Sequence, residues 1–119
     1  MWTAGSTVEV EVSAAGPARP LPQEMEQHLL RIAQEAVANA LKHAAASRIW
    51  IKLTSEDRRI RLSVVDNGRG FDQQDVFSAG DGHFGVIGMR ERAERIRGEM
   101  RLASRPGEGT EVEVTAPLP

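Results

Sequence analysis

Residues 48–71, RIWIKLTSEDRRIRLSVVDNGRGF, decide the fold. Within this stretch, residues 48–53 and 59–65 alternate apolar and polar side chains, a pattern typical of half-buried strands. The polar residues 55–57 between them predict a turn. The second strand runs into Asp66 and a glycine-rich segment. The stretch therefore predicts a strand pair with a carboxylate at the end of its second strand.

The flanking sequence predicts two helices and three more strands. Residues 23 to about 46 are rich in Ala, Leu, Glu, Gln and Met, with apolar residues at helical spacing, which predicts a long helix. Residues 7–12, TVEVEV, predict a strand before that helix. Downstream, residues 86 to about 97 predict a second helix, and residues 99–104 and 110–115 predict two final strands.

The predicted order is β-α-β-β-loop-α-β-β within one domain that covers residues 1–119. This order predicts an α+β fold, a two-layer α/β sandwich. We expect a mixed, mostly antiparallel sheet of about five strands, covered on one face by helices. The loop, residues 66–84, is too long for a routine connection, and loops of that length are usually functional.

Composition excludes several classes of protein. The 119 residues contain no cysteine, so neither a disulfide framework nor a thiolate metal site is available. The formal net charge is -2 and aromatic residues make up 4%, which argues against nucleic acid and against direct membrane contact. The apolar runs are too short to cross a bilayer, and we see no signal peptide. We expect a cytoplasmic location.

The long helix carries a polar face. Glu35, Asn39, Lys42 and His43 lie at offsets of 0, 4, 7 and 8 residues and so share one side of the helix. A carboxylate and an amide oxygen one turn apart can contribute ligands to Mg²⁺, and Lys42 can meet a phosphate. The alternative is an ordinary solvated face.

A second candidate site follows the strand that ends at Asp66. Walled by apolar neighbours, this carboxylate can accept a hydrogen bond from an exocyclic amine such as that of adenine, a bond that contributes about 1.5–3 kcal/mol. Gly68 and Gly70 allow the backbone to approach a flat ring or to turn sharply. The alternative is a simple Asp-Asn-Gly turn.

A third candidate site is residues 80–89, GDGHFGVIGM, which contain G-x-G-x-x-G. No strand directly precedes this segment, so we reject a dinucleotide-binding fingerprint, and the chain has no P-loop. A glycine-rich approach to a helix that begins near Val86 still favours phosphate. The alternative is a flexible loop before an ordinary helix cap.

Three further features favour structural interpretations. Residues 107–110, GEGT, read alone as a hairpin turn. His28, His43 and His83 lack metal-ligand spacing, so we expect no zinc site. No serine occupies a nucleophile elbow, which disfavours a hydrolase triad.

Taken in order, these segments closely resemble the catalytic ATP-binding domain of sensor histidine kinases, within the wider group shared with gyrase-type and chaperone ATPases. The run GMRERA, residues 88–93, is similar to the subfamily that signals to LuxR/NarL-type response regulators. The corresponding segments are the N box at about 31–46, the first glycine box at 66–71, the lid at about 72–84, the second glycine box at 82–89 and the final glycine box at 107–110.

The resemblance implies ATP and Mg²⁺ as cofactors and assigns roles at the metal and the base. Asn39 would bind Mg²⁺ and Glu35 would orient water in the metal shell. Asp66 would read the adenine amine, and Gly68 and Gly70 would shape the adenine pocket.

The resemblance also implies roles around the phosphates. Lys42, a catalytic residue together with Glu35 and Asn39, and His43 would supply positive donors. Thr110 would support the adenine end. Gly82, Gly85 and Gly88 would approach the phosphates. The remaining implied nucleotide contacts are Phe71, His83, Phe84, Val86 and Met89.

The implied activity is transfer of the γ-phosphoryl group of ATP to a histidine on a separate dimerisation domain, which then passes it to a response regulator. We expect that dimerisation and phosphoacceptor domain to be absent from this chain. His28 lies on the same helix as the N box, so we expect no autophosphorylation in isolation. The alternatives are a free-standing anti-sigma-factor-type serine kinase of the same fold and a degenerate nucleotide-binding module.

Overall fold

The computed structural model describes residues 8–71 and 85–119, and within them it has five strands and two helices in the order β-α-β-β-α-β-β. This order agrees with the prediction. The strands are β1 (Glu9–Ala15), β2 (Arg48–Ser55), β3 (Arg59–Asp66), β4 (Glu99–Ser104) and β5 (Thr110–Pro117), and the helices are α1 (Gln23–Lys42) and α2 (Val86–Arg95).

The strands form one sheet in the order β1-β2-β3-β5-β4. β1 pairs with β2 in parallel, because α1 carries the chain back across the sheet between them. The other three pairs are antiparallel. The expected mixed, mostly antiparallel sheet is therefore confirmed, and β3 lies at its centre.

Both helices pack on one face of the sheet. Along β3, Ile60, Leu62 and Val64 are buried while the residues between them are only half-buried, as expected for a strand covered on one side. The helices contribute the other half of this core with residues that fall on one face of each helix: Met25, Leu29, Ile32, Ala36, Val37 and Ala40 from α1, and Val86, Met89 and Ala93 from α2. The two-layer sandwich is confirmed.

Both helices end earlier than their composition suggests. α1 ends at Lys42 rather than near residue 46, and Ala45 adopts a left-handed backbone with φ 50°. α2 ends at Arg95, and Arg97 is left-handed with φ 59°. A left-handed residue cannot continue a right-handed helix, so backbone geometry rather than propensity sets both ends. Neither helix is long and apolar enough to cross a membrane.

Candidate functional site

A cleft opens where the ends of α1 and β3 meet the starts of β5 and α2. Its walls are mostly apolar, and its polar side chains come from three of the predicted segments: the N box, the first glycine box and the final glycine box. The residues that line it are Ala36, Asn39, His43, Ala44, Val64, Asp66, Gly70, Phe71, Val86, Met89, Leu102, Thr110 and Val112. An apolar pocket with a few convergent polar groups is the usual form of a small-molecule site.

Asp66 is the buried carboxylate of the cleft, with a side chain at the end of the central strand and an exposed fraction of 8%. Its Oδ1 accepts a hydrogen bond from the Gly68 N–H at 2.7 Å, and the backbone N–H of Thr110 also donates to the carboxylate. Burial raises the pKa of Asp66 above its ordinary value, and the two backbone donors act in the opposite direction. Asp66 is therefore a partly desolvated acceptor held in place by backbone groups.

Asn67 holds this turn against the start of β2. Its Oδ1 accepts hydrogen bonds from the backbone N–H groups of Ser47 and Arg48 at 3.0 and 2.9 Å, and its Nδ2 donates to Ser47 Oγ at 2.9 Å. A short amide side chain that bonds to nearby backbone is a known device for bracing turns. The sequence alone gives no signal for this role of Asn67.

Arg69 braces the same turn against the end of α1. Its backbone N–H donates to the Ala44 carbonyl at 2.8 Å, and its Nε donates to the His43 carbonyl at 2.8 Å. The backbone of Gly107 in the final glycine box donates to the Arg69 carbonyl. Through these bonds one arginine ties three predicted motifs together, a role without a local sequence signal.

Gly68 and Gly70 are required by close backbone packing. A Cβ on Gly68 would lie 2.5 Å from the Ala44 carbonyl oxygen. Gly70 has φ +65°, and its Cβ would lie 2.0 Å from the carbonyl oxygen of Arg105. Gly70 lines the cleft, whereas Gly68 is buried beside it. Both positions therefore admit only glycine without a shift of the backbone.

Ser104 is a buried polar residue that the sequence analysis did not single out. It ends β4, and only 7% of its surface is exposed. Its Oγ accepts from the Phe71 N–H at 3.0 Å, donates to the Gly109 carbonyl at 3.1 Å and lies 2.8 Å from Thr110 Oγ1. A lone serine at a strand end has no local signal, and its position becomes informative only through its pairing with Thr110.

The start of α2 lies beside Glu35. Gly85 precedes the helix with φ 60°, and a Cβ there would lie 1.9 Å from Glu35 Oε1. No side chain caps the helix, and its first turn carries no acidic residue. Glu35 and Gly88 line a more polar groove that shares Met89 with the cleft, together with Arg31, Gln34, Gly85 and Arg92.

The structure thus brings together most of the predicted site residues. Asn39, His43, Asp66, Gly70, Phe71, Val86, Met89 and Thr110 line the cleft, and Glu35, Gly85 and Gly88 line the adjoining groove. Lys42, the exposed last residue of α1, is outside both sets. Gly82, His83 and Phe84, and the whole predicted lid at residues 72–84, lie outside the described residues.

This fold and this cleft define a nucleotide-binding domain of the two-layer α+β class. Residues 24–119 match the family of histidine kinase-, DNA gyrase B- and HSP90-like ATPases, and the chain belongs to that family. Within it, the relatives below are sensor kinases, so the chain is an ATP-binding catalytic domain of the sensor histidine kinase type. The predicted family and fold are confirmed.

Two curated relatives illustrate the similarity. The nitrate/nitrite sensor protein NarX of Escherichia coli K12 is 42% identical over 99 residues, which cover 83% of this chain and 16% of that protein. The sensor histidine kinase LiaS of Bacillus subtilis is 38% identical, over 79% of this chain and 25% of that protein. The chain therefore spans a quarter or less of the length of either protein. Neither relative supports the anti-sigma-factor alternative.

Solved structures show the same architecture. The blue-light activated histidine kinase of Erythrobacter litoralis EL346 is 25% identical with a TM-score of 0.73, over 95% of this chain and 36% of that one. The ATP binding domain of PrrB from Mycobacterium tuberculosis has a TM-score of 0.67 over 94% of this chain and 81% of that one. At 19% identity, the second likeness concerns the fold alone.

Proposed function

We propose that this chain binds Mg-ATP and delivers the γ-phosphoryl group to a histidine on a separate dimerisation domain, from which it passes to a response regulator. The observation that carries this proposal is the placement of Asp66 and Asn39 in one apolar cleft of a domain from this family. One supplies a buried acceptor for a base, and the other an amide oxygen for a metal.

Asp66 would recognise the exocyclic amine of adenine. Its carboxylate is desolvated and held by two backbone N–H groups, so the oxygens need not reorganise when a base arrives. Val64, Met89 and Leu102 supply apolar contact area for the ring. Guanine presents a carbonyl where adenine presents an amine, and a carbonyl oxygen facing this carboxylate would find an acceptor instead of a donor.

Glu35 and Asn39 fit Mg²⁺ by their chemistry. Both are half-buried on the side of α1 that faces α2, one lining the groove and the other the cleft. Mg²⁺ in nucleotide sites takes few protein oxygens and completes its shell with water and phosphate, so one amide and one carboxylate acting through water suffice. Bound Mg²⁺ would neutralise charge that develops on the phosphoryl oxygens.

The start of α2 and the end of α1 would hold the phosphates. Without an acidic residue in its first turn or a side-chain cap at Gly85, α2 presents N–H groups and the positive end of its dipole toward the groove. Gly88 lines that groove without a Cβ, and Lys42 and His43 follow at the end of α1. These groups would act by positioning and electrostatic stabilisation.

The acceptor histidine would belong to a separate domain. His28 is held at the α1–α2 contact, where Arg92 Nη1 lies 3.3 Å from its Nδ1 and Glu24 Oε1 lies 3.8 Å from its Nε2. These contacts support our expectation that this chain alone does not autophosphorylate. Phosphohistidine on the isolated chain after incubation with Mg-ATP would contradict it. We further propose that the domain acts in the cytoplasm and that residues 72–84 form its lid.

Calorimetric titration of ADP into the chain, with and without Mg²⁺, tests the proposal directly. We expect micromolar affinity that Mg²⁺ strengthens, and no measurable binding of GDP at the same concentrations. Circular dichroism of the same sample serves as the control for folding. If correctly folded protein binds no ADP, the domain is instead a degenerate nucleotide-binding module.

A further inference from the structure

We propose that Ser104 is a positioning residue that fixes the Thr110 hydroxyl as a hydrogen-bond acceptor. In that state the base-reading end of the cleft admits an amino group and rejects a carbonyl at the same place. The inference rests on the proposed adenine-nucleotide function and adds to it the residue that sets the polarity of the site.

Ser104 Oγ lies at the centre of a small hydrogen-bond network. This atom is buried at the end of β4, and three groups lie within hydrogen-bond distance of it: the Phe71 N–H at 3.0 Å, the Gly109 carbonyl at 3.1 Å and Thr110 Oγ1 at 2.8 Å. Each partner belongs to a segment that forms the cleft or adjoins it. Pairing of β4 with β5 places Ser104 directly opposite Thr110.

The protons available at these contacts decide whether Ser104 or Thr110 donates to the other. A serine hydroxyl has one proton to donate and lone pairs that accept. The Gly109 carbonyl can only accept, so it takes the Ser104 proton, and the Phe71 N–H can only donate. All three contacts are hydrogen bonds only if the Thr110 hydroxyl donates to Ser104.

This direction of donation determines which groups the cleft offers to a bound base. With its hydroxyl proton committed to Ser104, Thr110 turns only lone pairs toward a bound base. Its backbone N–H is committed as well, because it donates to the Asp66 carboxylate. Asp66 and Thr110 both line the cleft, so these two side chains present only acceptors to a bound base. An amino group satisfies the acceptor that faces it, whereas a carbonyl at the same place leaves that acceptor without a donor.

The test compares ADP with inosine diphosphate, which replaces the adenine amine with a carbonyl and carries a hydrogen on N1. We would measure both dissociation constants by calorimetry for the unmodified chain, Ser104→Ala, Ser104→Thr and Thr110→Val. In Ser104→Ala the Thr110 hydroxyl is free to rotate and donate to the carbonyl, so we expect the preference for ADP to narrow by roughly tenfold. Ser104→Thr keeps the hydroxyl and should keep the preference.

A double variant separates this role from a merely structural one. Because Ser104→Ala acts through Thr110, the selectivity of Ser104→Ala/Thr110→Val should equal that of Thr110→Val alone. If Ser104 only ties β4 to Phe71, Ser104→Ala will weaken both nucleotides by the same factor, and that result overturns the inference. Narrowed selectivity that persists in the double variant also overturns it.

Two controls keep the outcome interpretable. Thermal unfolding identifies a variant that does not fold. In that case Ser104→Cys, similar in size but a poor donor and acceptor, takes the place of Ser104→Ala and should narrow the selectivity in the same way. Failure of the proposed function looks different, because the unmodified chain would then bind neither nucleotide.

Discussion

The two ends of β3 each carry an acidic residue, and their environments are opposite. Glu56, just before the strand, pairs with Arg59 and with Arg61 Nη2, the latter at 3.0 Å. The hydrogen bond from Arg59 is the main cause that lowers the pKa of Glu56. At the other end burial raises the pKa of Asp66, whose named partners are backbone N–H groups. At the first end two arginines neutralise the carboxylate of Glu56. At the second end the carboxylate of Asp66 is kept as an acceptor for a ligand.

Close backbone packing requires glycine at both ends, but at more positions at the site end. At the site end, Cβ atoms on Gly68, Gly70 and Gly109 would lie 2.0 to 2.5 Å from backbone oxygens. We call the other end the distal end. It comprises residues 56–58, Arg97 and the segment 117–118, which pairs beside them. This end also has one tightly packed glycine, Gly16, whose Cβ would lie 1.9 Å from the Ser55 carbonyl oxygen, and it has a left-handed Arg97. Among the described residues, three glycines whose Cβ would lie within 2.5 Å of a backbone oxygen are therefore at the site end, against one at the distal end.

The largest effect should come from filling a tightly packed glycine position at the site end. Gly70→Ala forces a left-handed alanine and sets its Cβ 2.0 Å from the Arg105 carbonyl oxygen. We expect it to lower the free energy of unfolding by about 2–4 kcal/mol, measured by urea denaturation. Gly107→Ala is the matched control, because Gly107 has φ +82° and open space around its Cβ position. Equal losses in the two variants would show that strain, not packing, requires Gly70.

Asp66→Asn should have the next largest effect, on binding rather than folding. The change is nearly isosteric, so we expect a folded domain, but it removes the charged acceptor for the adenine amine. The affinity for ADP should fall by about tenfold or more. Glu56→Gln removes a carboxylate from the distal end and should change the affinity by less than about twofold, because solvent and salt screen a charge at the opposite end of the sheet. Unchanged affinity in Asp66→Asn would remove this residue from the site.

Much of the fold was predictable from local pattern, and the exceptions have a common cause. Alternation along β2 and β3 and the composition of α1 predicted those elements and the two-layer class. The insertion of β5 between β3 and β4 has no local signal, because it depends on pairing between strands far apart in the chain. Helix ends were misplaced where Ala45 and Arg97 adopt left-handed backbones despite being ordinary residues.

The residues of the site also differ in whether they have a local sequence signal. Asn39 and Asp66 were identified because each stands out within its own segment, as a polar residue in an alanine-rich helix and an acid that ends an apolar strand. Ser104 and Arg69 were not, because their partners come from other segments. The roles assigned to Gly82, His83 and Phe84 stay predictions, as these residues lie outside the described ranges.

The pKa shifts of the two acids predict opposite pH dependences of stability. The lowered pKa of Glu56 means that its contribution is present above the unfolded-state pKa and is lost as the pH falls through the folded-state value. The raised pKa of Asp66 means that its contribution is present below the unfolded-state pKa and is lost as the pH rises through the folded-state value.

Urea unfolding between about pH 3 and pH 7 checks this contrast. The stability that Glu56→Gln loses relative to the unmodified chain should shrink as the pH falls. For Asp66→Asn the trend should reverse, with the unmodified chain gaining relative to the variant as the pH falls. Differences that do not vary with pH in either variant would show that neither carboxylate is coupled to folding.

The smallest expected effect is a gain at the distal end. Arg97 follows α2 with φ 59°, in the position where helices commonly place glycine, and it is exposed. Arg97→Gly should therefore raise the free energy of unfolding by about 0.5–1 kcal/mol, because relief of left-handed strain exceeds the added flexibility of the unfolded chain. Arg95→Gly, the same change within the right-handed helix, should lower it by a similar amount. Neither variant should alter the affinity for ADP. A loss of stability in Arg97→Gly would mean that the contacts of the Arg97 side chain outweigh its backbone strain, and the distal end would then be as closely adapted to its residues as the site end is.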